Sequence, residues 1–288
     1  MHIGVGRPMA PPYPTPDVDA AIVARFAEDA GFESILFGEH AITPTDEGKG
    51  HSIHTEGVPF FQETIVALSR VSGATTRLKF GFGVCLVPQH NPVRLAKQLA
   101  CLDFYSGGRL IVGIGTGWSR DETVALGGRF ERRWGQVREI VGLWRKLWTG
   151  ERVDHQGEFF QIPPVRCFPT PAQTPGPPVL IGSVTDASLQ RLVDYCDGWM
   201  PAFVTPERVA AGPDLIRAGK ARILELAKAS GREMSDVRIT CIVYGQVDRD
   251  LLRRYEDAGL ERLNLMLPYF DTEAGAREQV ARMAEVAL

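Results

Sequence analysis

The chain has 288 residues, 44% of them hydrophobic, which is enough for a large core and for one or two domains. Its formal net charge is −3, with both signs spread along the chain, which excludes a basic face for nucleic acid and a polybasic membrane patch. No apolar run reaches the roughly 18 residues of a membrane span, and the opening MHIGVGRPMAPPYP lacks a secretory pattern, so a soluble, cytoplasmic protein without nucleic-acid or membrane partners is expected.

Apolar, β-branched runs alternate with helical patterns. HIGVG (His2–Gly6) reads as a short strand, and DVDAAIVARFAEDAG as a helix ending at Gly31. ESILFGEH is the second strand. A loop from Ala41 to about Pro59 follows, long enough to serve as a functional lid. FFQETIVALSRVSG is helical and LKFGFGVCLV is the third strand. NPVRLAKQLACLDFYSGG is a helix with Pro92 near its first turn and Gly107 at its end. RLIVGIGTGW is the fourth strand. ERRWGQVREIVGLWRKLW is an amphipathic helix, with Trp134, Val137, Val141, Trp144 and Leu147 at helical spacing.

From Thr149 to Pro178 the rhythm breaks into a stretch rich in Pro, Gly and charge, in which RVDHQGEFFQI reads as a hairpin around Gln156-Gly157. PVLIGS resumes as the fifth strand, followed by the helix DASLQRLVDYC, and DGWMPA is the sixth strand. The helical stretch PERVAAGPDLIRAGKARILELAKASG is expected to break near Gly212-Pro213. VRITCIVYG, RDLLRRYEDAG, RLNLMLP and EAGAREQVARMAEVAL complete the seventh and eighth strand–helix units.

Eight strands, each followed by a helix and each a near-continuous apolar run, point to an α/β fold with a parallel sheet covered on both faces. At this length the expectation is a (β/α)8 TIM barrel, a single domain over residues 1–288 with an insertion at about 149–178. Such barrels place their chemistry at the C-terminal strand ends. That directs attention to Arg7, Glu39, His40, Gly83–Cys85, Gly115–Trp118, Ser183–Thr185, Trp199 and Pro268–Phe270. The five cysteines are far apart and form no CxxC, so they read as buried thiols. No metal site is expected: His51 and His54 lie in the long loop without further ligands, and the first strand does not end in His-x-His.

The stretch YSGGRLIVGIGTGWSRDE has the look of a nucleotide fingerprint. Its glycines are spaced Gly-x-Gly-x-Gly, it lies in the fourth unit, and 20 residues on the chain is inside the Trp-rich helix, all of which argues against a dinucleotide site. Glycines at a strand's C-terminal end let a flat ring approach the backbone. Simple barrel packing explains them equally well.

YSGGRLIVGIGTGW also resembles a hallmark of the bacterial luciferase-like flavin monooxygenase superfamily. GFESILFGEH, NPVRLAKQLACLDFYSGGR, REIVGLWRKLWTGERVDHQGEFFQI and PVLIGSVTDASLQRLVDYCDGWMP resemble further segments of that family in collinear order. The likeness is nearest to the branch that uses the deazaflavin coenzyme F420 rather than FMN: Glu39-His40 form the acid–His pair ending the second strand, and VLIGSVTDAS stands where many FMN members have Arg-rich phosphate contacts.

This resemblance implies a catalytic His40, a residue type whose titration near neutrality suits a general acid or base. Glu39 would bond the cofactor or orient His40, although related enzymes often carry Asp there. A cis Gly83-Val84 peptide is implied behind the ring. Gly115, Thr116 and Gly117 would border the cofactor, while Gly182, Ser183, Val184 and Thr185 would hold its phosphate tail. Trp118, where sugar-phosphate dehydrogenases of the branch have an acid, would be an apolar wall of the substrate pocket together with Arg7 and Trp199. From the residues alone, His40 as a structural histidine, Ser183 or Thr185 as helix caps, Arg7 as a solvated side chain and Trp118 as core remain open. The expected activity is hydride transfer between F420 and a small-molecule substrate by a homodimer. The alternatives are an FMNH2-dependent monooxygenase, a non-catalytic flavin-binding barrel and, weakened by the absent ligand pattern, a metal-dependent hydrolase.

Overall fold

The computed structural model describes residues 1–7, 17–42 and 61–288. Its strands are β1 (His2–Arg7), β2 (Ser34–Phe37), β3 (Lys79–Leu86), β4 (Leu110–Gly115), β5 (Val153–Gln156), β6 (Gln161–Val165), β7 (Val179–Ile181), β8 (Gly198–Trp199), β9 (Ala202–Phe203), β10 (Arg238–Val243) and β11 (Arg262–Met266). The antiparallel β5–β6 pair is the expected hairpin, set outside the main sheet. The other strands run parallel in the order β1-β2-β3-β4-β7-β8-β10-β11, and β11 pairs back onto β1, with Gly4 opposite Asn264. The ring is therefore closed: a (β/α)8 barrel, with β8 and β9 forming one interrupted staff. Pro201, which has no N–H to give, separates those two pieces, yet its carbonyl still accepts the Ile242 amide at 2.9 Å.

The helices are α1 (Ala20–Ala30), α2 (Thr64–Ala74), α3 (Pro92–Ser106), α4 (Arg120–Ala125), α5 (Arg133–Leu147), α6 (Asp186–Tyr195), α7 (Pro206–Ala229), α8 (Arg249–Asp257) and α9 (Glu273–Ala287). Alternate strand residues separate two cores. Leu36, Ile111, Leu180, Met200 and Ile242, with Val84 and Met266, fill the barrel interior. Val5, Ile35, Phe80, Val112, Ile181, Cys241 and Leu263 face the helix layer. Both faces are buried, which is why the strands read as continuous apolar runs.

The break expected near Gly212-Pro213 does not occur; α7 runs straight through it. Pro213 cannot donate to the carbonyl four residues earlier, that of Val209. The buried Tyr255 hydroxyl of α8 donates to that carbonyl instead, at 2.8 Å. Gly212 makes the approach possible, because a Cβ there would lie 1.9 Å from the same hydroxyl. The neighbouring helix replaces the bond that proline removes.

At the N-terminal end of the barrel, Arg262 is 2% exposed. It forks onto Glu33, through Nε at 2.6 Å and Nη2 at 2.7 Å, and its Nη1 donates to Thr240 Oγ1 at 3.1 Å. This ion pair ties β11 and β10 to the residue preceding β2. It lies at the end that serves stability rather than chemistry.

Candidate active site

The C-terminal strand ends surround a cleft of about 1010 Å³. Its wall includes Arg7, Glu39, His40, Phe61, Gln62, Gly83, Val84, Trp118, Tyr244, Met266 and Pro268. Seven of the residues singled out from the sequence therefore share one opening: Arg7, Glu39, His40, Gly83, Val84, Trp118 and Pro268. The loop expected as a lid, with His51 and His54, lies outside the described residues apart from Ala41 and Ile42.

His40 follows the short strand β2, and its ring sits between two aromatic rings, Phe61 at 4.8 Å and Trp118 at 5.5 Å between centroids. Its Nδ1 lies 2.8 Å from Glu122 Oε2. The other oxygen of Glu122 accepts the Ala41 amide at 2.8 Å. A carboxylate at Nδ1 assigns the proton to that nitrogen. It leaves Nε2, which has no hydrogen-bond partner among the described residues, as the ring's free lone pair. Burial pushes the Glu122 carboxyl up, but the bonds from His40 and the Ala41 amide outweigh it and hold the group below its ordinary range. Glu122 stays an anion facing the imidazole.

Glu122 escaped the reading of the sequence. It is the third residue of α4, whose N-cap Ser119 accepts the Glu122 amide at 3.2 Å. The spacing Ser-x-x-Glu is that of a capping box, in which the glutamate would turn back to the cap's own amide. Here the side chain reaches the His40 loop instead. The distinguishing signal lies 82 residues away in sequence.

Glu39 does not orient His40. One of its oxygens accepts the Leu86 amide, and the other is 3.1 Å from His90 Nε2. Burial alone would lower the His90 pKa, but Glu39, with Glu63 behind it, raises it overall. The Cys85 thiol lies beneath them, and burial with the Glu39 charge pushes it far up, so it stays protonated. The donor atoms of Glu39, Cys85 and His90 fall within 4.8 Å of one another, yet both Glu39 oxygens are already engaged by protein donors. The trio is a hydrogen-bonded brace under β3.

Above this brace the Gly83-Val84 peptide is cis, as the resemblance implied, and the β3–β4 register shifts between Phe82 and Cys85. The bulge presents Val84 into the cleft. A Cβ on Gly115 would meet Val84 Cγ2 at 2.7 Å, and one on Gly182 would meet Cγ1 at 2.6 Å. The three residues make a close-fitted apolar shelf that only glycines allow.

Gly115, Thr116, Gly117, Gly182, Ser183, Val184 and Thr185 do not line the cleft; Gly115 and Gly182 back the Val84 side chain instead. Thr116 Oγ1 accepts from Arg133 at 3.3 Å. Ser183 and Val184 lead into α6, where Thr185 is the N-cap and accepts the Ser188 amide. Trp199, expected in the substrate pocket, is not there. A two-residue strand offers no alternation from which to read its facing, and its ring packs outward against Gly219 of α7. Its Nε1 donates to the Ser183 carbonyl at 2.6 Å, so it anchors the loop before α6. Tyr244, after β10, is a cleft residue the sequence reading missed; burial raises its pKa and keeps the phenol protonated.

Arg7 is not solvated. It is 6% exposed, ion-paired to Asp17, and donates through Nη2 to the Val18 carbonyl at 2.7 Å.

Residues 7–286 match the family model described as luciferase-like monooxygenase. An uncharacterized protein of Mycobacterium tuberculosis is 34% identical over 190 residues, covering 64% of this chain and 67% of its own. The F420-dependent hydroxymycolic acid dehydrogenase of the same organism is 30% identical over 180 residues, 62% of this chain and 47% of the relative. A solved F420-dependent secondary alcohol dehydrogenase, in complex with an F420-acetone adduct, superposes with a TM-score of 0.77 at 17% identity, covering 99% of this chain and 97% of that one. Barrel, cleft and matched sequence agree: the chain belongs to the luciferase-like monooxygenase family.

Proposed function

We propose that this protein is an F420-dependent oxidoreductase that moves a hydride between the deazaflavin and an alcohol or carbonyl carbon of a small organic substrate. The observation that carries this reading is the His40–Glu122 pair set into the same cleft as the Val84 shelf. The residues fit such a cofactor: Val84 presents an apolar surface backed closely by Gly115 and Gly182, and a cleft of about 1010 Å³ has room for a tricyclic ring and a small substrate. The F420-dependent relative and structural neighbour support the choice of cofactor.

A bound deazaflavin supplies the hydride acceptor or donor. The chain supplies orientation and proton handling. Val84, backed by Gly115 and Gly182, would support the ring, and the first turn of α6, after Ser183 and Val184, offers backbone N–H groups suited to a phosphate. His40 Nε2 takes the proton of a substrate hydroxyl in the oxidising direction and returns it to the carbonyl oxygen in the reducing one. Glu122 holds the ring in the tautomer this requires and stabilises the imidazolium that results. Trp118 and Phe61 flank the imidazole and exclude water from it.

The test is a fluorescence titration of the purified protein with F420 beside an identical titration with FMN. Micromolar binding of F420 alone is expected. Preference for FMN would overturn the reading in favour of an FMNH2-dependent monooxygenase, to be followed by oxygen consumption with a reductase.

A further inference from the structure

We propose that Arg7 is the anchor for a carboxylate carried by the substrate of this cleft. A guanidinium has five N–H donors in one plane. Nη2 of Arg7 is committed to Asp17 and to the Val18 carbonyl, whereas Nη1 is buried and has no partner among the described residues. Buried donors without an acceptor are rare in folded proteins, because each forfeits the hydrogen bonds water would have given it. Arg7 lies in the cleft wall, so a shift of its side chain toward the opening would give the buried Nη1 a partner there.

Charge specifies the ligand further. Burial lowers the Arg7 pKa by more than Asp17 and Asp19 raise it. Asp17 cannot turn to serve Nη1, since its second oxygen is held by Gln62. Glu39, the one carboxylate of the wall among the described residues, is engaged by the Leu86 amide and His90. Arg282, also on the wall, is ion-paired with Glu278, which leaves Arg7 to supply the charge. An anionic oxygen is the complement.

Geometry limits the size of the molecule. Arg7 stands opposite Phe37 in the β1–β2 register, three residues before His40. Three residues extend at most about 10 Å, so the anchor and the proton-transferring histidine share one sector of the cleft wall. A short-chain hydroxy or oxo acid would reach from one group to the other.

The assignment of the anion to the substrate rests on the proposed function; the anion site itself does not. The test is isothermal titration of the whole chain with hexanoate, hexanamide and hexan-1-ol, with and without saturating F420, on the wild type, Arg7→Lys and Arg7→Met. Hexanoate is expected to bind about tenfold or more tighter than hexan-1-ol, in the presence of F420 as in its absence. That preference should shrink in Arg7→Lys and vanish in Arg7→Met. No preference in the wild type, or a preference that survives both substitutions, overturns the proposal. The wild-type comparison stands even if a variant fails to fold. If F420 displaces hexanoate, the anion belongs to the cofactor and the substrate assignment falls. If F420 does not bind but the hexanoate preference holds, the anion site stands and only the proposed cofactor falls.

Discussion

At the scale of single residues, the site turns on which carboxylate faces which histidine. Glu39 and His40 are neighbours in sequence, but His40 pairs with Glu122 while Glu39 pairs with His90. The crossing is physical: consecutive side chains leaving a strand point to opposite sides. His40→Ala is expected to leave F420 affinity largely intact and to lower turnover by roughly 10²-fold or more. Glu122→Gln keeps the shape and removes the anion. It should lower kcat about tenfold or more, with KM little changed, because its effect is on the ring's orientation and charge. Steady-state kinetics on both variants checks this, and unchanged turnover in His40→Ala would remove that residue from the mechanism. His40 was singled out by its place at a strand end, and the role proposed for it came from the family resemblance. Glu122 was not, because its spacing from Ser119 is fully accounted for by helix capping, and only the closed barrel brings it to the second strand.

Among elements, α7 shows how one helix repairs another. Pro213 leaves the Val209 carbonyl without its usual donor, and the Tyr255 hydroxyl takes that place. Tyr255→Phe retains the ring and removes only the donor. The expected cost is about 1 to 3 kcal/mol, the range for stranding a buried carbonyl, read as a lowered urea midpoint at unchanged m-value. The same example marks the limit of local reading. The hairpin, the Pro92 helix start and the Gly107 stop were legible because each depends on residues a few positions apart. The continuity of α7 depends on a residue 46 positions away, and the facing of Trp199 depends on a staff that Pro201 cuts in two.

For the whole molecule, the Glu33–Arg262 fork sets a pH dependence. Burial pushes the Glu33 carboxyl up, but Arg262 and Lys79 outweigh it and bring the pKa from its ordinary 4.5 down to about 2. A carboxylate with a depressed pKa contributes stability above its unfolded value and loses it as protons bind the folded state. The contribution, roughly 2 to 3 kcal/mol, should therefore be complete near neutrality and fade between about pH 4.5 and about pH 2. Glu33→Gln is expected to flatten that part of the stability curve and, by leaving Arg262 buried without its partner, to destabilise the protein at neutral pH by about 3 kcal/mol or more. Thermal melts across that range check both. The barrel itself was legible because eight apolar runs separated by helical patterns admit few other arrangements.

The strand that closes the ring is also the one farthest along the chain, and β1 must wait for β11 before either has two neighbours. The cleft straddles this joint: Arg7 comes from one side of it, Met266 and Pro268 from the other. A molecule held there acts as a rivet across the last gap in a hoop. It binds only when the hoop is shut, so its occupancy shifts the balance between open and closed hoops by mass action. A ligand filling the cleft would keep β1 and β11 fastened, and without one these two edges would part more often.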